Sequence, residues 1–128
     1  MSDGVVPEGG LPPPPRDRGA AEAGTSGRVL SIQSHVVSGY VGNKAAVLPL
    51  QLLGFSVDPV NSVQFSNHTG YPVFKSGGVP PVSGESLEEL VDGLRQNGLL
   101  PGYTHMLTGY IGSASLLRKA VAIAREIR

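Results

Sequence analysis

The chain has 128 residues, 18 of them glycine and 11 proline, with no cysteine, and its ten basic and ten acidic side chains cancel. Without net charge there is no long-range field to hold a nucleic-acid backbone or an anionic membrane, so neither partner is expected. The lack of cysteine excludes a disulfide framework, a zinc ribbon and a thiol nucleophile, and His35, His68 and His105 lack ligand spacing, so no metal site is expected either. A hydrophobic fraction of 40% against 16% charge argues for one packed domain. No apolar run approaches the ~20 residues that cross a bilayer, and no secretory signal pattern opens the chain. A soluble, cytoplasmic protein is expected.

Residues 1–27 hold 11 glycines or prolines, including Pro12, Pro13, Pro14 and Pro15, and carry two arginines against four acidic residues. So little apolar surface cannot offset the entropy of ordering, and this stretch reads as a disordered, partly polyproline-like tail. An organellar transit peptide is the sharper alternative; the four acidic residues and the absence of a basic amphipathic stripe argue against it.

From Arg28 the pattern alternates. An apolar run at 29–32 predicts a strand, and a mixed helical stretch follows at 43–53, bent or split by Pro49. Residues 55–65 read as two short extended pieces. A helix is predicted at 87–96, where Ser86 and Glu89 form a capping-box pattern and Leu87, Leu90, Val91 and Leu94 share one face. Asn97 and Gly98 end it. A strand at 105–108 precedes a last helix from about 115, with Leu116, Leu117, Ala120, Val121, Ala124 and Ile127 on its apolar side. Arg118, Lys119, Arg125 and Arg128 read as a solvated face.

The order β-α-β-α-β-α predicts an α/β fold, a parallel sheet joined by right-handed crossovers with helices on both faces. The last helix meets no stop signal before Arg128, and so small a parallel sheet leaves open edges. More of the same sheet is expected to follow in a longer protein.

Ligands of open α/β sheets bind beyond the carboxyl ends of the strands, which directs attention to the loops after Ile32, Val63 and Leu107. These loops are rich in glycine, hydroxyls and aromatics, suited to a small polar ligand held by few hydrogen bonds against an aromatic wall. Neither a Walker A sequence nor a dinucleotide fingerprint is present. On composition alone, the glycines supply positive φ and Asn43 caps the helix, while Ser34, Ser66 and Thr69 bond to turn backbone. His35 and His68 read as ordinary histidines. Lys44 opposes the helix macrodipole and hints at a nearby anion.

The segments Arg28-Val29-Leu30-Ser31-Ile32-Gln33-Ser34-His35, Gly39-Tyr40-Val41-Gly42-Asn43 and Pro49-Leu50-Gln51-Leu52-Leu53-Gly54 resemble the start of pyridoxal kinases. The run Asn61-Ser62-Val63-Gln64-Phe65-Ser66-Asn67-His68-Thr69-Gly70-Tyr71 and the later Leu107-Thr108-Gly109-Tyr110 strengthen the resemblance, which is most like plant or algal versions and spans residues 28–128. It implies a ribokinase-like fold and ATP-dependent phosphorylation of the 5′-hydroxymethyl group of pyridoxal, pyridoxine or pyridoxamine. It also implies a homodimer, with ATP as co-substrate, Mg2+ and a monovalent cation such as K+.

Carried over residue by residue, the resemblance makes Ser34 and Thr69 the polar contacts of the substituted pyridine. It makes Val41, Val63, Phe65 and Tyr110 the ring's walls, with His68 beside them. The family's Gly-x-Gly-Asp element and catalytic aspartate belong to its C-terminal half. No Gly-x-Gly-Asp occurs in this chain, so no catalytic residue is assigned and the aspartate is expected beyond residue 128. Lys75-Ser76-Gly77-Gly78-Val79-Pro80-Pro81-Val82 departs from the family pattern, replacing a shorter loop near the pocket. Two readings follow: the vitamer-pocket half of a pyridoxal kinase, or a noncatalytic vitamer-binding or subunit-interaction module.

Overall fold

The computed structural model describes residues 26–127. The tail reading therefore lies outside the described residues, apart from Ser26 and Gly27; Gly27 already pairs with Phe55 in the first strand. The elements are β1 (Gly27–Val36), α1 (Asn43–Leu52), β2 (Phe55–Phe65), α2 (Gly84–Gln96), a 3-10 turn (Leu100–Gly102), β3 (His105–Thr108) and α3 (Ala114–Glu126).

The three strands form a parallel sheet in the order β2-β1-β3, the α/β architecture expected. β1 is central and the most deeply buried strand, apolar on both sides: Val29, Leu30, Ile32 and Val36 are 3% exposed or less. Leu30 and Ile32 pack with Leu87 and Val91 of α2 and Leu116, Ala120 and Ile123 of α3 in one core. Ser31, on the opposite side, meets Asn43 of α1. Helices thus cover both faces.

Several boundaries differ from the sequence reading. β1 continues past residue 32 to Val36, which puts Ser34 and His35 on a strand rather than in a loop. Residues 55–65 form one strand, not two pieces; its register with β1 steps from Gln33↔Asn61 to His35↔Gln64, so a bulge interrupts the alternation. Pro59 is tolerated because β2 is an edge strand of this sheet. α1 is a single helix with Pro49 inside it, ending at Leu52 before Gly54 at φ 92.

α2 starts three residues earlier than the capping pattern suggested. Ser83, not Ser86, is the cap: its Oγ accepts from the Ser86 backbone N–H at 3.1 Å. Its buried line is Leu87, Val91 and half-buried Leu94, while Leu90 is 52% exposed. In α3 the line is Leu116, Ala120, Ile123 and Ile127; Leu117 and Val121 are exposed, and Ile123 was missed. Both helices rest on the sheet and on each other along one narrow stripe, so apolar residues one position off it are not covered.

Gly84 permits the close approach of the two helices, since a Cβ there would lie 2.6 Å from the Ser115 carbonyl oxygen. Arg95 then clasps Glu126 at 2.7 and 2.9 Å, and Lys119 reaches Glu88 at 3.1 Å, so Lys119 is paired rather than merely solvated. The Arg95 hydrogen bond holds the Glu126 carboxyl below its usual range. Ser83→Ala is expected to destabilise the fold by about 1 kcal/mol, read as a lower urea midpoint at unchanged m-value.

At the amino ends of the strands, Asp58 receives both Arg28 Nε at 2.8 Å and the Tyr103 hydroxyl at 2.5 Å. Burial, then the Asp58 carboxylate, pushes the Tyr103 phenol up. This cluster braces the end of the sheet opposite the candidate site.

Candidate functional site

Three loops leave the carboxyl ends of the strands together. The first, after Val36, stays zipped to the second: Val37 and Ser38 donate to the carbonyls of Phe65 and Ser66, each at 2.9 Å. Gly42 then turns the chain into α1 at φ 54, tight against the Ser34 hydroxyl and carbonyl. Asn43 is not a cap. It is the first residue of α1, 3% exposed, with its amide turned into the sheet. Its Oδ1 accepts from Ser31 Oγ at 2.8 Å, and its Nδ2 donates to the Val60 carbonyl at 3.1 Å and Asn61 Oδ1 at 2.9 Å.

Lys44 donates to the Val37 carbonyl at 2.8 Å and lies 5.3 Å from the Tyr40 ring centre. Its charge is therefore committed to its own loop, and the anion hinted at by the macrodipole argument is not needed to explain it.

The second loop, 66–75, is closed by Ser66, whose N–H donates to the Lys75 carbonyl at 2.7 Å and whose Oγ accepts from Lys75 N–H at 3.0 Å. Asn67 braces it by donating to the carbonyls of His68 and Val73. His68 Nδ1 accepts from the Gly70 N–H at 3.0 Å, which assigns the ring proton of the neutral form to Nε2. The ring packs on Tyr71 with centres 4.7 Å apart. Thr69 and His68 are exposed on this loop, and Ser34 and Val41 are half-buried on the first.

The third loop extends the ladder as Gly109 N–H donates to the Ile32 carbonyl at 3.0 Å. Tyr110 follows, 64% exposed, its ring beside Gly112. Ser62 of β2 donates to the Tyr110 carbonyl at 3.1 Å and ties this loop to the bulge.

A cavity of about 240 Å³ opens there, lined by Ser62, Val63, Phe65, Pro81, Val82, Tyr110 and the start of α3. Val63, Phe65 and Tyr110 are thus brought together at one cavity. Ser34, Val41, His68 and Thr69 do not line this cavity; they stand on the two neighbouring loops at the same sheet end. Ser62, Pro81 and Val82 were not anticipated. The departure from family pattern at 75–82 was the one signal for the latter two, while Ser62 turns inward through a bulge that alternation cannot reveal. A larger groove of about 450 Å³ between α2 and α3 mixes Glu85 and Glu88 with Arg118 and Lys119.

His35, read as an ordinary histidine, sits on β1 beside Ser34 with a buried Nδ1 that has no partner among the described residues. Among those residues, no three His, Asp or Glu side chains gather to hold a metal, and no helix is long and apolar enough to cross a membrane.

No family model matches the chain. The pyridoxal kinase of Arabidopsis thaliana is 62% identical over 103 residues, 80% of this chain and 32% of that protein. The sequence match is to the pyridoxal kinases. The human pyridoxal kinase is 54% identical over 101 residues, 79% of this chain and 31% of that protein. The chain spans about a third of the length of these curated relatives.

The solved pyridoxal kinase of Leishmania donovani in complex with ADP and pyridoxamine superposes with a TM-score of 0.74 at 50% identity, over 79% of this chain and 34% of that one. A putative phosphomethylpyrimidine kinase from Bacteroides thetaiotaomicron, 20% identical with a TM-score of 0.70, shares the fold over 80% of this chain and 33% of its own. The ribokinase-like fold expected from the resemblance is therefore present in its first β-α-β-α-β-α portion.

Proposed function

We propose that this chain supplies the vitamer-binding part of a pyridoxal kinase, which phosphorylates the 5′-hydroxymethyl group of pyridoxal, pyridoxine or pyridoxamine with ATP. The observation that carries the reading is the 62% identity to a plant pyridoxal kinase over 103 residues, 80% of this chain. The chemistry of the loops supports it. A flat, neutral heteroaromatic needs an apolar slot and a few directional polar contacts rather than a charged cradle.

Val63, Phe65 and Tyr110 supply aliphatic and aromatic walls at one cavity, and Val41, on the neighbouring loop, is the further apolar contact proposed for the ring. The Ser34 and Thr69 hydroxyls each offer one donor and two acceptor positions to ring substituents. His68 stands beside them with Nδ1 already occupied by its own turn, so Nε2–H is the end left for a ligand.

ATP enters the proposal as co-substrate, in keeping with the ADP of the Leishmania structure. Among the described residues no three His, Asp or Glu side chains gather to hold the Mg2+ and K+ that the resemblance implies. A homodimer and a cytoplasmic location complete the reading. The catalytic base and most nucleotide contacts would come from the two thirds of the kinase that this chain does not match.

The test is a phosphorylation assay with pyridoxal, ATP and magnesium on the protein purified at the length its source cells produce. Formation of pyridoxal phosphate is expected, and no product would overturn the reading. Ser34→Ala and Thr69→Ala are each expected to weaken pyridoxal binding by about 1–3 kcal/mol, roughly 5- to 150-fold in Kd. Unchanged affinity by calorimetry would remove that residue from the site.

A further inference from the structure

We propose that Ser62 is a positioning residue: it fixes the spacing between Tyr110 and the 76–82 strap, and so the width of the ring-binding slot. The inference rests on the pyridoxal kinase reading of the same site.

Ser62 occupies the bulge of β2, where Ser34 of β1 alone faces Ser62 and Val63 of β2 between the pairs Gln33↔Asn61 and His35↔Gln64. Regular alternation would turn one of Ser62 and Val63 outward. The bulge buries both, leaving Ser62 1% exposed and Val63 6%. From that position the two polar ends of Ser62 reach opposite walls of the cavity. Its Oγ donates to the Tyr110 carbonyl at 3.1 Å, and its own carbonyl accepts from the Val82 N–H at 2.8 Å.

Both walls need such a tie. Tyr110 belongs to an exposed loop, and its carbonyl is held by a buried hydroxyl 48 positions away in sequence. The strap crosses from Lys75, clamped by Ser66, to Val82, clamped by Ser62. Between those clamps lies a turn closed by Val79 N–H to the Ser76 carbonyl at 3.1 Å, with Gly77 and Gly78 at φ 63 and 79. A Cβ on either glycine would meet nothing within 4 Å, so the turn itself leans on no other part of the fold. Pro81 and Val82, at the clamped end, are the strap residues that line the cavity. A departure from the family's loop length is thereby fastened to the ring-binding walls through one buried serine.

The experiment compares Ser62→Ala, Val82→Ala and Tyr103→Phe with the parent, each at native length, by steady-state kinetics against pyridoxal and against ATP. Ser62→Ala removes the Oγ tie, and the KM for pyridoxal is expected to rise about 5- to 10-fold, the weight of one buried hydrogen bond, with kcat and the KM for ATP within about twofold. Val82→Ala trims the wall without touching either hydrogen bond and is expected to raise the pyridoxal KM about threefold, which keeps the idea testable if Ser62→Ala does not fold.

Tyr103→Phe loses a half-buried hydrogen bond at the far end of the sheet and should lower Tm without moving either KM. A pyridoxal KM within twofold of the parent in both pocket variants would overturn the inference and leave the functional reading standing. Equal rises in both KM values would also overturn it, because a tie confined to the ring-binding walls does not weaken ATP. A parent protein that phosphorylates no vitamer would overturn both.

Discussion

Gly42→Val is expected to abolish measurable pyridoxal binding and to lower the stability of the fold by about 2–5 kcal/mol. Two independent causes act on the same residue. At φ 54 the backbone lies in the left-handed region, which a β-branched side chain adopts only under strain. A Cβ at this position would also fall on the Ser34 carbonyl oxygen and lie 2.5 Å from the Ser34 hydroxyl. The collision is with backbone, so relief requires β1 or the start of α1 to move. Either movement displaces the hydroxyl proposed to meet the ring. The strain cost alone does not distinguish a site from a turn; the direction of relief does. Gly77→Val, also at positive φ but with open space around it, is the matched control, and it should lose stability with little change in pyridoxal Kd. Comparison of the two by urea melts and calorimetry separates the causes, and equal effects on binding would refute the link between Gly42 and Ser34.

The alternation of apolar strands with amphipathic helices was enough to read the α/β class, the parallel order and the burial of Leu87, Val91, Leu116 and Ala120. Those features follow from local periodicity, which tertiary context only reinforces. The misread features are those decided by contacts far apart in sequence. Asn43 is a good capping residue by type, yet its partners at Ser31, Val60 and Asn61 claim the side chain for the sheet. Ser86 and Glu89 satisfy a capping pattern, but Ser83 comes earlier and Gly84 can approach Ser115, so the helix begins sooner. Leu90, Leu117 and Val121 are apolar without being covered, because each helix meets its neighbours along one line.

The candidate site divides in the same way. The residues that wall the cavity, Val63, Phe65 and Tyr110, were legible from the resemblance; composition alone read only a generic polar-aromatic pocket. Extension of β1 to Val36 moves Ser34 onto a strand edge, where the opposing Gly42 rather than a turn sets its position. Ser62 was invisible, since its inward orientation depends on a bulge between strands paired across the chain.

Asn43→Ala is expected to cost about 2–4 kcal/mol of stability, more than its small size suggests. The amide is 3% exposed and reaches four partners on two strands: the Ser31 hydroxyl, the Gln33 carbonyl at 3.4 Å, the Val60 carbonyl and the Asn61 side chain. Truncation removes these bonds and leaves the fully buried Ser31 hydroxyl proton without its acceptor, which is the expensive direction of the hydrogen-bond asymmetry. Asn43→Asp tests the assignment of the amide. A carboxylate retains the acceptor for Ser31 but turns two donors into an oxygen facing the Val60 carbonyl and Asn61 Oδ1. At neutral pH it should therefore be at least as damaging as alanine. Protonation restores one donor, so the aspartate variant should gain on the alanine variant as pH falls; burial against carbonyl oxygens raises its folded-state pKa above the unfolded value near 4. By linkage the penalty is smallest below that unfolded pKa and grows as pH rises through the folded one. Urea melts of both variants between pH 4 and 8 check this, and parallel curves for alanine and aspartate would mean that the amide does not face those oxygens. Since Asn61 is the last regular β2 pair before the bulge, loosening this clamp should also blur the register that turns Ser62 and Val63 inward, so the pyridoxal Kd should rise along with the loss of stability.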